Sequence, residues 1–279
     1  MLSIFYGLSS ALIWGAGDFT GGLASRRADP YRTVALSEAF GLLLLLAAAL
    51  LSGAAQPAWA DLAFAALAGA LGCSGLTLLY KSFADGQMSL AAPVSALTSA
   101  ALPIAAGTFL EGFPGALKLA GFVLALGAIW LISRDQGSTR PAHIRVADLR
   151  LPLVAGVFFG LYFILMERAT QGTVLWPMIA SRLAGVIVIA AYVGLRGGPL
   201  LPSRPVWALI FLNALLDIGG NALYILSARA GRLDVAAVLG SLYPGSTVLL
   251  AWLLLKERIN RWQLAGILAA LGAIILMTI

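Results

Sequence analysis

The chain has 279 residues, of which 61% are hydrophobic and only 11% are charged. Soluble domains carry roughly 25% charged residues, so this composition excludes a water-soluble domain, a disordered chain and a disulfide scaffold. The single cysteine, Cys73, and the single histidine, His143, exclude a disulfide framework, a histidine-based zinc site and a histidine-centred catalytic triad. The net charge of +6 comes from basic residues in short connections, which indicates membrane topology rather than nucleic-acid binding.

Ten apolar runs, each close to the length that crosses the hydrocarbon core of a bilayer, follow one another along the chain. They lie near residues 2–24, 33–52, 59–80, 89–110, 115–133, 152–167, 174–195, 205–227, 234–254 and 262–278. Because an α-helix satisfies its own backbone hydrogen bonds in lipid, the ten runs predict an all-α, polytopic membrane protein with ten transmembrane helices.

The longest polar stretch divides the chain into two halves of five runs each. We predict a first five-helix repeat over residues 1–133, a polar linker over 134–150 and a second repeat over 151–279. At an offset of 145 residues, Ala120–Ile129 match Ala265–Ile274 at seven of ten positions. Since five is odd, the second repeat enters the membrane inverted, and inverted repeats supply the two packings that alternating access requires.

Basic residues are divided unevenly between the two sets of connections. Thirteen Lys and Arg residues lie in the connections after runs 1, 3, 5, 7 and 9, and four lie in the others. Cytoplasmic loops of membrane proteins are enriched in Lys and Arg. We therefore expect a multi-pass protein of the plasma membrane, in this case a bacterial inner membrane, with both termini on the non-cytoplasmic side.

Four short segments carry a family resemblance. They are Trp14–Phe19 (WGAGDF), Ser241–Pro244 (SLYP), Leu255–Arg258 (LKER) and Gln263–Gly266 (QLAG). In order and spacing they resemble the ten-helix EamA family of the drug/metabolite transporter superfamily, which has two EamA repeats. The resemblance implies export or uptake of small metabolites, amino acids or drugs, with the substrate held in a cavity between the halves.

The strongest site candidate is a polar stripe in the eighth run. Asp217 lies about 18 Å from the predicted cytoplasmic end of that run, which is near the middle of a core of roughly 30 Å. Asn213 and Asn221 stand four residues before and after Asp217, so all three share one helix face. The stripe can bind a polar substrate and Asp217 can exchange a proton; alternatively, the stripe hydrogen-bonds neighbouring helices.

Three further ionisable residues fall inside apolar runs. Asp18 and Glu38 lie roughly 8–10 Å from the predicted cytoplasmic face, where they could form a gate of ion pairs with nearby arginines or a static anchor. Arg182 aligns with Glu38 at an offset of 144 residues. A direct ion pair would have to cross a vertical gap of roughly 10 Å, so binding of a substrate carboxylate and snorkelling to the interface remain alternatives.

Runs 4 and 9 are rich in small and hydroxyl residues, which suit either close helix packing or a polar cavity wall. The EamA resemblance implies that these two runs line the substrate cavity. The remaining candidates for substrate contact are Thr98, Ser99, Ser241, Tyr243, Tyr224 and Trp14.

Together these features predict a secondary transporter that moves a small polar or amphipathic metabolite by alternating access, as an exporter, with proton coupling an open option. A nucleotide-binding Walker motif is absent from the sequence, so ATP drive within the chain is not expected. The alternatives are a channel and an integral-membrane enzyme acting on a lipid-linked substrate, but the acids are dispersed and His143 is isolated. We expect no metal, no cofactor and no nucleic-acid partner, and a monomer or weak homodimer.

Overall fold

The computed structural model describes residues 1–53, 57–85, 88–110, 112–132, 146–197, 201–202, 204–255 and 261–278. Within these ranges the regular structure is helical, and no strand occurs. The α-helices are α1 (Leu2–Arg27), α2 (Pro30–Ser52), α3 (Trp59–Ala84), α4 (Met88–Leu110), α5 (Ala116–Ile132), α6 (Val146–Ala169), α7 (Leu175–Arg196), α8 (Trp207–Ala230), α9 (Leu233–Gly240), α10 (Tyr243–Leu255) and α11 (Arg261–Thr278). A short 3-10 turn, Arg204–Val206, precedes α8. The predicted all-α, polytopic fold is confirmed.

Five segments of the described chain are long and apolar enough to cross a membrane by themselves. They are Pro30–Ser52, Trp59–Ala84, Leu149–Ala169, Leu175–Arg196 and Arg204–Ala230. Shorter apolar helices cover Val94–Leu110, Ala116–Leu131 and Leu264–Met277. The large apolar side chains on the outside of the bundle fit a surface that faces lipid rather than water.

Local sequence explains where the first two helices meet. The Asp29 side chain accepts a hydrogen bond from the backbone N–H of Arg32 at 3.1 Å, and Pro30 stands at the first position of α2. A capping carboxylate followed by proline is a strong helix start, so α2 begins three residues before the predicted run. The connection between α1 and α2 is therefore only Ala28 and Asp29.

The ninth run differs from the prediction, because two helices replace one. α9 ends at Gly240, and α10 begins at Tyr243 after a turn at Ser241 and Leu242. Pro244 has no N–H to donate to the carbonyl of Gly240, so the α-helical hydrogen-bond pattern is interrupted there. The turn is instead closed by the N–H of Leu242, which donates to the carbonyl of Leu239 at 3.1 Å.

The helices pack in pairs that the internal repeat relates. α1 packs on α8, and the equivalent helices α6 and α3 pack on each other. α4 packs on α6, and its equivalent pair, α9 with α10, packs on α1. α2 packs on α7 and α5 packs on α11, so each of these helices contacts its own counterpart. The largest interfaces thus join the two halves.

Close contacts at glycine repeat with the same symmetry. Gly75 faces the ring of Phe159, and a Cβ at Gly75 would lie 3.0 Å from that ring. Gly220, which aligns with Gly75, faces Trp14, which aligns with Phe159. Small residues let membrane helices approach closely, so these pairs place one large aromatic residue of each half against a glycine of the other. The glycine–aromatic contacts are therefore related by the same 145-residue offset as the sequence.

We expect Gly69→Ala to destabilise the protein. A Cβ at Gly69 would overlap the backbone carbonyl of Ser181, so α3 and α7 would have to separate. Overpacking of this kind costs about 1–3 kcal/mol. The matched control is Gly127→Ala, where a Cβ would meet no atom within 4 Å. Thermal unfolding in detergent should show a lower melting temperature for Gly69→Ala only, and equal melting of the two variants would contradict the close approach.

Candidate functional site

A cavity lies between the two halves of the bundle. It holds about 680 Å³ of empty space, including its open mouth, and helices of both halves form its walls. Eight of the twelve sequence-predicted site residues line it: Trp14, Asp18, Glu38, Ser99, Arg182, Asp217, Asn221 and Tyr243. Its lining combines apolar and aromatic side chains with a few convergent polar groups, which is typical of sites for small molecules.

Arg182 forms the centre of an ion-pair cluster in the cavity wall. Its Nη1 donates a hydrogen bond to Glu38 Oε1 at 2.7 Å, and its Nη2 donates to Asp217 Oδ2. The side chains of Arg182 and Glu38 are only 9% and 6% exposed, whereas that of Asp217 is 19% exposed. The cluster therefore connects α7 with α2 of the other half and with α8 of its own half.

The pair between Glu38 and Arg182 corrects the expectation of a vertical gap. Two glycines, each three residues beyond the charged residue on its helix, make room for the partner side chain. A Cβ at Gly41 would lie 3.3 Å from Arg182 Nε, and one at Gly185 would lie 2.8 Å from Glu38 Oε2. Each long side chain therefore has room beside a glycine of the opposite helix, and the two charged groups meet. Glu38 thus pairs with the second half rather than with the arginines near the α1–α2 connection.

Asp217 also belongs to a hydrogen-bond chain. Asn221 Nδ2 donates to Asp217 Oδ2 at 3.1 Å and to the Asp217 backbone carbonyl at 2.8 Å. The Tyr162 hydroxyl donates to Asn221 Oδ1 at 2.8 Å. Polar contacts therefore run without a break from Tyr162 on α6, through Asn221, Asp217 and Arg182, to Glu38 on α2. Such connected networks hold buried charges in fixed positions.

Asn213, the third member of the predicted stripe, lies behind the cavity wall rather than on it. Its Oδ1 accepts a hydrogen bond from Ser37 at 2.8 Å. Its Nδ2 donates to the Gly17 carbonyl and to the Tyr80 hydroxyl, each at 2.9 Å. These bonds connect α8 to α1, α2 and α3, so its contacts fit the alternative interpretation of the stripe as a link between helices.

Aromatic residues form a second part of the wall. Trp14 stacks on Phe163 and on Tyr224, with ring centroids 5.5 and 5.6 Å apart. Tyr224 is fully buried behind Trp14 and does not line the cavity. Sequence reasoning missed Phe159 and Phe163, which line it. The alignment of Phe159 with Trp14 was the signal that could have identified the first of them.

The hydroxyl residues of α4, of the α9–α10 turn and of the start of α10 differ in whether they line the cavity. Tyr243 lines the cavity, and its hydroxyl donates to the Ala92 carbonyl at 2.9 Å. Ser99 also lines it, with its Oγ 3.4 Å from the Oγ of Ser241. Ser241 is buried outside the lining, and Thr98 donates to the Val94 carbonyl of its own helix at 2.7 Å.

Asp18 occupies the wall one helical turn after Trp14. In the part of the chain that the structure describes, its carboxylate accepts no hydrogen bond and forms no ion pair. In the same part of the chain, His, Cys, Asp and Glu side chains form no group of three that could hold a metal ion. The motif residues 256–258, together with His143, lie outside the described residues.

Comparison with known proteins decides the family. A family model described as the EamA-like transporter family matches residues 1–134 and 149–279, which is nearly the whole chain in two repeats. The chain belongs to the EamA-like transporter family. This EamA protein is thus a multi-pass membrane protein of a family of drug/metabolite transporters, which are not enzymes.

Two further comparisons identify a distant relative and a protein of similar fold. An uncharacterised protein of Methanocaldococcus jannaschii is 24% identical over 129 residues, which are 46% of this EamA protein and 94% of the archaeal chain. A protein of known crystal structure matches with a TM-score of 0.80 at 17% identity, over 99% of this chain and 98% of that one. At such identity the likeness shows a shared fold alone.

We expect Arg182→Met to be strongly destabilising, because it leaves Glu38 buried without a counter-charge. Removing one partner of a buried pair costs about 3–5 kcal/mol. Lys81→Met is the control, since Lys81 and Asp85 are 35% and 44% exposed and such pairs contribute about 1 kcal/mol or less. The measurement is the unfolding free energy in detergent. Equal losses in the two variants would show that the Arg182 pairs do not stabilise the fold.

Proposed function

We propose that this EamA protein is a secondary transporter that moves a small polar or amphipathic metabolite, such as an amino acid, a related metabolite or a drug, by alternating access. The observation that carries the proposal is the cavity between the two halves, lined by charged, polar and aromatic residues from both. A pocket that mixes apolar walls with a few convergent polar groups is typical of sites for small molecules.

The repeated packing supports the alternating-access part of the proposal. The interface of α1 with α8 and that of α3 with α6 are equivalent under the internal repeat, but they belong to opposite orientations in the membrane. When one interface opens and its equivalent closes, the cavity changes the side to which it is accessible. The glycine contacts in these interfaces let the helices pack closely.

Asp217 supports a proposal for proton coupling. It is the most exposed acid of the Arg182 cluster, and its carboxylate faces the cavity. A proton that binds Asp217 removes its attraction to Arg182, whereas Glu38 keeps its own pair. Protonation therefore weakens the contact of α8 with α7 and leaves the contact between the two halves intact. Because the energised inner membrane drives protons inward, the direction we propose is export of substrate in exchange for protons.

The location we propose is a bacterial inner membrane, with both termini outside the cytoplasm. The excess of Lys and Arg in the connections after the odd-numbered runs supports this orientation. A reporter that is active only in the cytoplasm, fused after Ile279, is then expected to be inactive, and activity would reverse the orientation.

The test of function is uptake into proteoliposomes of labelled amino acids, nucleobases and cationic drugs, with and without an imposed pH gradient. We expect at least one class to enter faster than into protein-free vesicles, and the gradient to raise its accumulation. Asp217→Asn should retain exchange of substrate but lose the response to the gradient, because the variant carboxamide cannot carry a proton.

Asp85→Asn is the matched control, since it makes the same change at an exposed residue paired with Lys81, outside the cavity. This variant should respond to the gradient as the unmodified protein does. Absence of transport for every class would overturn the proposed function. Gradient-driven accumulation that is unchanged in Asp217→Asn would remove Asp217 from the proton path.

A further inference from the structure

The charges that line the cavity do not balance. Among the described lining residues, three are acids, Asp18, Glu38 and Asp217, and one is a base, Arg182. Arg182 is already shared by Glu38 and Asp217. Asp18 is thus left facing the cavity without a positive partner in the described part of the chain.

Two other carboxylates with low exposure have positively charged partners. Asp234 is completely buried, and it accepts hydrogen bonds from Arg232 at 2.7 Å and from the backbone N–H of Val235 at 2.7 Å. Asp61, with a side chain 16% exposed, lies 3.6 Å from Arg168. Asp18 is partly exposed in the cavity, and a carboxylate that is partly removed from water without a partner is energetically costly, so the exception at Asp18 requires an explanation.

The residues around Asp18 indicate which kind of ligand could pair with its carboxylate. Trp14, one turn earlier on α1, lines the same cavity, as does Tyr243. Phe159, Tyr162 and Phe163 add three further aromatic side chains to the wall. Aromatic faces attract cations electrostatically, and aromatic and apolar walls accommodate the hydrocarbon part of a ligand. A carboxylate beside such walls is complementary to a positively charged nitrogen on an apolar body.

A negatively charged substrate fits the same walls poorly. To bind it, Arg182 would have to release Glu38 or Asp217, and the released carboxylate would then stand beside a second anion. Asp18 would repel the substrate as well. Like charges brought together in a partly desolvated site are costly, so the charges in the cavity select against anions.

We propose that Asp18 anchors the positively charged nitrogen of the substrate, and that the transported class is amphipathic organic cations such as aryl-substituted amines. This proposal rests on the transport function proposed above and names its substrate class. Asp18 binds the ammonium group, the aromatic wall holds the body, and the Arg182 cluster remains intact during binding.

The test is direct binding to the purified full-length protein in detergent. The probes are labelled 4-phenylbutylamine and 4-phenylbutyrate, which share a ring and a chain but carry opposite charges. We expect saturable binding of the amine, about tenfold or more tighter than that of the carboxylate. Asp18→Asn should weaken amine binding by about tenfold or more, and Asp18→Glu should retain most of it. Asp85→Asn should bind the amine as the unmodified protein does.

A stability measurement separates this role from a structural one. If Asp18 is an unpartnered ligand group, Asp18→Asn removes an uncompensated charge and should leave the melting temperature unchanged or raise it. A clearly lower melting temperature would assign Asp18 to the fold and overturn the proposal. It is also overturned by absent amine binding, by tighter binding of the carboxylate, or by equal amine affinity in Asp18→Asn.

The two proposals fail in distinguishable ways. Saturable amine binding that depends on Asp18, without transport of any compound into vesicles, contradicts the transport function and supports the cation site. Transport restricted to anions or neutral compounds supports the function and overturns the cation site.

Discussion

A guanidinium buried among transmembrane helices requires anions beside it, and Arg182 has two. Glu38 comes from the first half of the chain and Asp217 from the second. The two ion pairs of Arg182 therefore connect three helices. Asn221 and Tyr162 extend this network to α6. Because an unpaired charge is so costly in this environment, the arrangement of the cavity wall depends on these contacts.

The same constraint gives Asp18 its significance. Once Arg182 is shared between two carboxylates, the described cavity offers Asp18 no positive partner, and Asp18 lines that cavity together with aromatic side chains. A transporter must bind its substrate without breaking the contacts that hold its helices together. The Arg182 cluster connects the helices, and Asp18 is left available for the substrate. Substrate can therefore bind and leave while the helices stay connected.

Much of the fold could be predicted because the length of each apolar run can be read directly from the sequence. The order of the helices, the two halves and the equivalence of Glu38 with Arg182 all follow from spacing along the chain. The ion pair itself did not follow, because depth along a helix ignores the reach of a long side chain. The space for that reach comes from Gly41 and Gly185, whose effect depends on which helix faces them. The orientation of Asn213 also depends on which helices surround it. Asn213 shares a stripe with Asp217 yet faces away from the cavity.

The ion pair between Glu38 and Arg182 joins the two halves of the bundle, and a double-mutant cycle measures this coupling. The unfolding free energies of Glu38→Gln, Arg182→Gln and the double variant would be measured in detergent. We expect the double variant to lose about 1–3 kcal/mol less than the sum of the single losses. Strictly additive losses would show that the two residues are not coupled and that their pair does not hold the halves together.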